Sequence, residues 1–319
     1  MELTATATSV FLIALQLSVF VAFAPFVAAT IRKTKARLQG RRGPGITQPY
    51  RDLIKWWGKA PLESSAAGPV ARYAPAVVLG SIVAAAVLVP WVASREPLPG
   101  TADLIVVVGL FAAARFALAL AALDTGSAFG GMGSSRDVAL SALAEPGLML
   151  ALAGTAVAAG SSNLATISAF GIVSGVGLLG PAHLLAAVAF GIVVVAETGH
   201  HPFDNPDTHL ELTMVHEGML LESSGRALAT LLFASELKLV VLAALFSAAF
   251  LPFGAATEIA AGPIALGLLV GLVKILAVAQ VLAIIDSMLA KSRFFALPDL
   301  LGLASLLALT GLAIQVLLP

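Results

Sequence analysis

Seven ionisable side chains interrupt otherwise apolar stretches of this sequence: Arg115, Glu145, Glu236, Lys238 and Lys274 well inside them, Glu197 and Asp286 near their ends. At bilayer depth such a charge costs about 2.5–3.5 kcal/mol on insertion scales unless it faces a polar interior, so each marks a candidate functional position. Both signs are present. Carboxylates and amines arranged in this way can relay protons through water, or pair with one another and fix how helices pack. Glu236 and Lys238 stand two residues apart, about 200° around a helix, so they cannot both address one partner and at least two polar seams follow. A carboxyl group that burial keeps partly protonated near neutrality suits proton exchange.

A second concentration of charge runs from Glu197 through Asp204, Asp207, Glu211, Glu217 and Glu222, with no Lys or Arg until Arg226. Confined acids repel one another, which makes their protonation responsive to nearby charge. His200, His201, His209 and His216 share the segment. No pair has the i, i+4 spacing that puts two imidazoles on one helical face, and the neighbours His200 and His201 diverge, so no metal site is expected. Pro202 and Pro206 keep the segment from continuing as regular helix. It reads as a surface for proton handling or partner docking.

The elements that must position these groups are membrane helices. Of 319 residues, 59% are apolar and 11% charged, where soluble domains carry about 25% charge. Several uncharged runs reach the roughly 20 residues that a crossing needs. The reading is all-α, a single polytopic membrane domain over 1–319, with helices near 4–30, 73–94, 103–123, 138–160, 180–198, 227–251, 262–287 and 297–318. The basic loops 31–72, 124–137, 199–226 and 288–296 then share one side and only Arg95 faces the other. A ninth helix, drawn from the Gly-rich stretch 171–180, would move Arg226, Lys291 and Arg293 across, so eight is favoured, with both termini outside. Residues 46–59 place Ile46, Tyr50, Leu53, Ile54 and Trp57 on one face of an amphipathic surface helix. There is no cysteine, so any iron–sulfur cluster belongs to a partner. Lys plus Arg equals Asp plus Glu at 18 each, which gives no sign of nucleic-acid binding. The uncharged stretch from Leu3 is too long for a cleaved signal and is taken as the first permanent helix.

The acidic segment resembles subunit 1, the H subunit, of respiratory complex I and its homologues in energy-converting nickel–iron hydrogenases. The residues that carry the likeness are Glu197-Thr198, Pro202-Phe203-Asp204, Pro206-Asp207, Glu211-Leu212 and Glu222-x-Ser224-Gly225, with Arg41-Arg42-Gly43-Pro44 followed by Gln48, Asp52 and Lys55. Arg115-Phe116, Leu123-Asp124-Thr125-Gly126-Ser127, Glu145-Pro146 and Asp286-Ser287 are similar to the hydrogenase branch, as in formate hydrogenlyase and hydrogenase-4. His200 or His201 stands for the family's basic residue before Pro-Phe-Asp, and Ser223 for a tyrosine.

The resemblance implies a non-catalytic membrane anchor in the cell membrane of a prokaryote. Hydrogenase-like large and small subunits would dock on its cytoplasmic face, beside antiporter-like membrane subunits. No cofactor is expected in this chain; iron–sulfur clusters and a nickel–iron site would be held by partners, and quinone is doubtful. Proton (or Na+) movement would use Glu145, Glu197, Asp204, Asp207, Glu211, Glu222, Glu236, Lys238 and Lys274, and docking would use Arg41, Arg42, Gly43, Pro44, Asp52, Asp124, Arg136, Pro202 and Phe203. The alternatives are a quinone-binding H subunit of a respiratory NADH dehydrogenase and, more remotely, a stand-alone ion-coupled transporter, whose internal repeat is absent from the sequence.

Overall fold

The structure, a computed structural model, describes residues 2–62, 64, 66–94, 100–204, 214–290 and 292–317. Among them the helices follow in the order α1 (Glu2–Leu38), α2 (Gln48–Trp57), α3 (Pro69–Leu88), α4 (Leu104–Asp124), α5 (Ala128–Ala159), α6 (Leu164–Ser174), α7 (Pro181–Glu197), α8 (His216–Leu220), α9 (Gly225–Phe250), α10 (Ala261–Met288) and α11 (Leu297–Leu317). The all-α membrane reading holds: seven of these, α1, α3, α4, α5, α9, α10 and α11, are long and apolar enough to cross a bilayer. At 17 residues, α7 is about 26 Å long. It runs from one end of the bundle, where His183 meets the end of α9, to mid-bundle, where Glu197 meets charges from α4 and α9.

Helix α9 is the central member, with 56% of its apolar window buried against 22% for α11. Its neighbours turn rows of leucine and valine outward, such as Leu266, Leu269 and Val273 on α10 and Leu303, Leu306 and Leu309 on α11. Rows of this kind at helical spacing suit contact with lipid. Around α9, the helix ends sort into two faces. One, the basic face, gathers α2, the end of α4, the start of α5, α8 and the start of α9; the opposite face gathers the start of α4, α6, the start of α7 and the end of α9.

Three boundaries differ from those expected. Helix α3 spans Pro69–Leu88 rather than 73–94, with Val89 extended before Pro90. Helix α1 runs on to Leu38, because no Gly or Pro occurs between Pro25 and Gly40, whose φ is 72°. Helix α5 starts at Ala128, since Ser127 caps it by accepting from the Gly130 N–H at 3.0 Å. Arg136 and Asp137 are therefore helical and not part of a loop 124–137. The Gly-rich stretch 171–180 makes no crossing. Asn163 caps α6 by accepting from Ala165 and Thr166, Gly175 at φ 54° ends it, and the 11 residues between begin beside Asp103 and end beside Pro252, both on the opposite face.

Helix α2 lies along the basic face. Its Pro49 is buried, whereas Ile54 and Trp57 point outward, and the Lys59 ammonium sits 4.4 Å from the Trp56 ring. Aromatic rings and cations together suit headgroup depth.

Candidate functional site

Four helices bring their charges to one buried point. The Arg115 guanidinium of α4 contacts the Glu197 carboxylate of α7 and lies 3.4 Å from Glu145 and 3.6 Å from Asp137, both of α5. From α9, the Lys238 ammonium reaches the same Glu197 at 2.8 Å. Three carboxylates thus face two cations. Asp137 and Glu145 can share one partner because eight residues put them roughly 80° apart on the helix, two turns from each other.

The members differ in freedom. Glu197, with its side chain 2% exposed, is clamped between two cations, whereas Glu145 is 35% exposed and holds Arg115 only by a long contact. A carboxylate fixed by two positive partners is held in place, so Glu197 organises the site and Glu145 is its more loosely held member. Beside them a cavity between α3, α4, α7 and α9 offers about 50 Å³ to the centres of water-sized molecules, and one water needs about 10–15 Å³.

The acidic segment closes this cavity from the basic face. Asp204 accepts from the backbone N–H of His216 at 3.0 Å and of Val215 at 3.3 Å, Phe203 is buried, and Arg136 donates to the Met214 carbonyl at 3.1 Å. Helix α8 can approach α5 because Gly133 has no side chain: a Cβ there would stand 2.8 Å from the Val215 oxygen. His216 is thereby buried against Asp137, Asp204, Lys238 and Arg115, and burial draws its proton affinity below the usual 6.5. Its Nε2 has no hydrogen-bond partner among the described residues.

Two further charge sites flank the first. Glu236 of α9 faces Arg32 of α1 at 3.8 Å, a loose pairing in which the arginine is half exposed and one carboxylate oxygen has no bonded partner. Above it Tyr50 of α2 donates to the Ala22 carbonyl, and burial raises its hydroxyl above the usual 10.0, so it remains a donor. Glu236 and Lys238 thus serve separate seams, as their spacing requires. At the end of α10, Asp286 accepts from His200 Nδ1 at 2.7 Å and the His201 N–H at 2.8 Å, with Lys35 at 3.5 Å. The two histidines in the place of a basic residue therefore meet a carboxylate.

Other expected residues lie elsewhere. Lys274 is no counter-charge to these carboxylates: its ammonium donates to the Leu251 and Phe253 carbonyls, which the end of α9 leaves without helical donors. Asp124 accepts from the Ala71 N–H at 2.9 Å and Asp52 from Gln48 at 2.8 Å, so both are engaged within the chain. Pro202 lends its carbonyl to Ser292. Glu222 is exposed, and Ser224 exchanges hydrogen bonds with Leu62, which ties the start of α9 to the segment after α2. Arg41, Arg42, Gly43 and Pro44 form an exposed turn, in which Gly43 has φ 70°. Asp207 and Glu211 lie outside the described residues. No group of three or more metal ligands occurs among the described residues. Asp137 and His216 were missed; Asp137 would have emerged had Ser127 been recognised as a helix cap.

Over residues 10–317 the sequence matches the NADH dehydrogenase family. It is 38% identical over 271 residues to Hydrogenase-4 component C of Escherichia coli (strain K12), covering 85% of this chain and 84% of that one. Formate hydrogenlyase subunit 4 of the same strain is 35% identical over 283 residues, 88% of this chain and 90% of that one. The H subunit of the NADH-quinone oxidoreductase of Ralstonia pickettii (strain 12J) is 29% identical over 224 residues, 66% and 62% of the two chains. A chain of the membrane-bound sulfane sulfur reductase, an archaeal respiratory membrane complex, shares the fold, with a TM-score of 0.82 at 22% identity over 95% of this chain and 99% of that one. The chain belongs to the NADH dehydrogenase family, that of the first membrane subunit of complex I, with relatives in hydrogenase-4 and formate hydrogenlyase.

Proposed function

We propose that this chain is the membrane anchor of a complex I-related, hydrogenase-type assembly and couples electron transfer in a docked redox module to proton movement. The observation that carries this reading is the buried cluster of Arg115, Asp137, Glu145, Glu197 and Lys238, closed by the segment that carries Asp204 and His216. A redox change in the module alters charge beside Asp204 and His216. The cluster responds because Glu145 is loosely held, and the released proton moves toward antiporter-like neighbours. The exposed Arg41-Arg42 turn and Glu222 offer charges of both signs to the hydrogenase-like large and small subunits. The positive-inside rule puts the basic face in the cytoplasm of a prokaryotic cell and both termini outside.

The test is purification of the native assembly, with H2-linked and quinone-linked activity and proton pumping assayed in vesicles for wild type, Glu145→Gln and Glu236→Gln. The expected result is H2-linked turnover with pumping reduced at least tenfold in Glu145→Gln. Wild-type pumping in both variants sinks coupling through the cluster; activity that depends on quinone and not on H2 selects the complex I reading.

A further inference from the structure

On the face opposite the basic loops, a second cavity lies between α5, α7, α11 and the turn after α6, and offers about 250 Å³ to the centres of water-sized molecules. Its mouth is at helix-end level, where Gly177 and Pro181 are exposed and Gln315 stands two residues before the end of α11. Thr155, Ser174, His183 and Gln315 line it. The Thr155 and Ser174 hydroxyls donate to their own helix carbonyls, which leaves their oxygen lone pairs toward the space. A cavity of this size with several polar partners holds water, whereas one lined by hydrocarbon alone stays dry.

In the first turn of α7 the cavity is lined by His183, a buried imidazole. Its Nε2 stands 3.0 Å from the Phe250 carbonyl, at the end of α9. A carbonyl only accepts, so Nε2 carries the hydrogen and Nδ1 of the neutral ring keeps its lone pair. Nδ1 has no protein partner among the described hydrogen bonds and is not sealed among the buried unpaired atoms. Apart from His183, no ionisable side chain lines the cavity among the described residues. Beyond the ring, Phe250, Phe246 and Phe190 stack with centroids 5.3–5.8 Å apart, and Phe190 is fully buried. Glu197 lies 14 residues further along the same helix, about 21 Å away.

We infer that this cavity is a water-filled vestibule from the face opposite the basic loops, and that His183 is the group which exchanges protons with that side. Water delivers a proton to Nδ1 while Nε2–H stays on the Phe250 carbonyl; the imidazolium so formed returns its proton to the same water. The aromatic stack isolates this end from the Glu145 cluster in the present conformation, so the two sites are the opposite ends of one route. The proton role rests on the coupling reading above; the vestibule does not.

The chain has no cysteine, so single cysteines report without background when labelling is read on this chain after it is separated from its partners. In sealed vesicles of the native assembly, a charged, impermeant thiosulfonate added to the face opposite the basic loops should modify Thr155→Cys and His183→Cys but not Phe190→Cys, and modification of Thr155→Cys should slow pumping at least fivefold. Modification of Thr155→Cys only by an uncharged, membrane-permeant maleimide means a lipid-filled cavity and overturns the vestibule. His183→Gln, which retains a donor for the Phe250 carbonyl, should pump at least fivefold more slowly at unchanged H2-linked activity. Wild-type pumping by His183→Gln, together with lost pumping in Glu145→Gln, overturns the role of His183 while the coupling reading stands. Impaired pumping in His183→Gln with wild-type pumping in Glu145→Gln and Glu236→Gln keeps His183 and overturns the inner cluster.

Discussion

At the scale of residues, the decisive contrast is between two carboxylates that share one arginine. Glu197 sits between Arg115 and Lys238 and is nearly inaccessible, whereas Glu145 is more open and more weakly held. Neutralising Glu197 leaves two buried cations facing each other, a loss of about 3–5 kcal/mol when one partner of a buried pair is removed. Glu197→Gln should therefore lower the melting temperature of the purified assembly or abolish it, while Glu145→Gln should melt as wild type and fail in pumping. His216 adds a pH dependence. Burial lowers its proton affinity from 6.5 despite Asp137 and Asp204 nearby, with Lys238 and Arg115 opposing protonation. The unfolded segment takes up a proton below pH 6.5 and the packed one does not, so docking weakens as pH falls through that value and is unaffected above it. Hydrogen exchange at 214–220, corrected for intrinsic rates, should lose protection between about pH 6.5 and 5 in wild type and keep it in His216→Met.

At the scale of elements, α8 on α5 is the joint through which the acidic segment meets the cluster. It exists because Gly133 allows backbone to lie on backbone; a Cβ there would also stand 3.2 Å from the Met219 nitrogen. Gly133→Val should displace 214–220 at about 1–3 kcal/mol, the usual cost of overpacking, seen as faster proteolysis there with α4 and α7 intact. A structure in which that segment is unmoved would refute the joint. Asp286 of α10 acts similarly for the start of the segment, where His200 and His201 from the loop and Lys35 from α1 converge on it.

At the scale of the whole molecule, charge is divided between the faces. The basic face carries Arg41, Arg42, Arg51 and Lys55, and the opposite face holds the His183 cavity, in whose lining His183 is the one ionisable side chain among the described residues. Positive-inside topology makes a direct prediction. Arg41→Cys should react with impermeant thiol reagent only in inside-out vesicles and Ser161→Cys only in right-side-out ones. The reverse pattern would turn both proposals upside down in the membrane.

Hydropathy and charge alone determined the membrane class, the polar seams and the acidic segment, because lipid leaves few places for an ionisable side chain and spacing on one helix fixes relative direction. The orientation of Glu236 and Lys238 toward different partners was legible for that reason. Helix ends and partners were not. Asp137 looked like a loop residue until Ser127 proved to start α5, and Lys274 looked like a counter-charge until its ammonium proved to satisfy the end of α9. Only the tertiary structure decided that Arg115, Asp137, Glu145, Glu197 and Lys238 form one site and that His183 stands at the end of a separate cavity. Such meetings join residues far apart in sequence, such as Arg115 and Glu145, and depend on how helices pack, which no local pattern encodes.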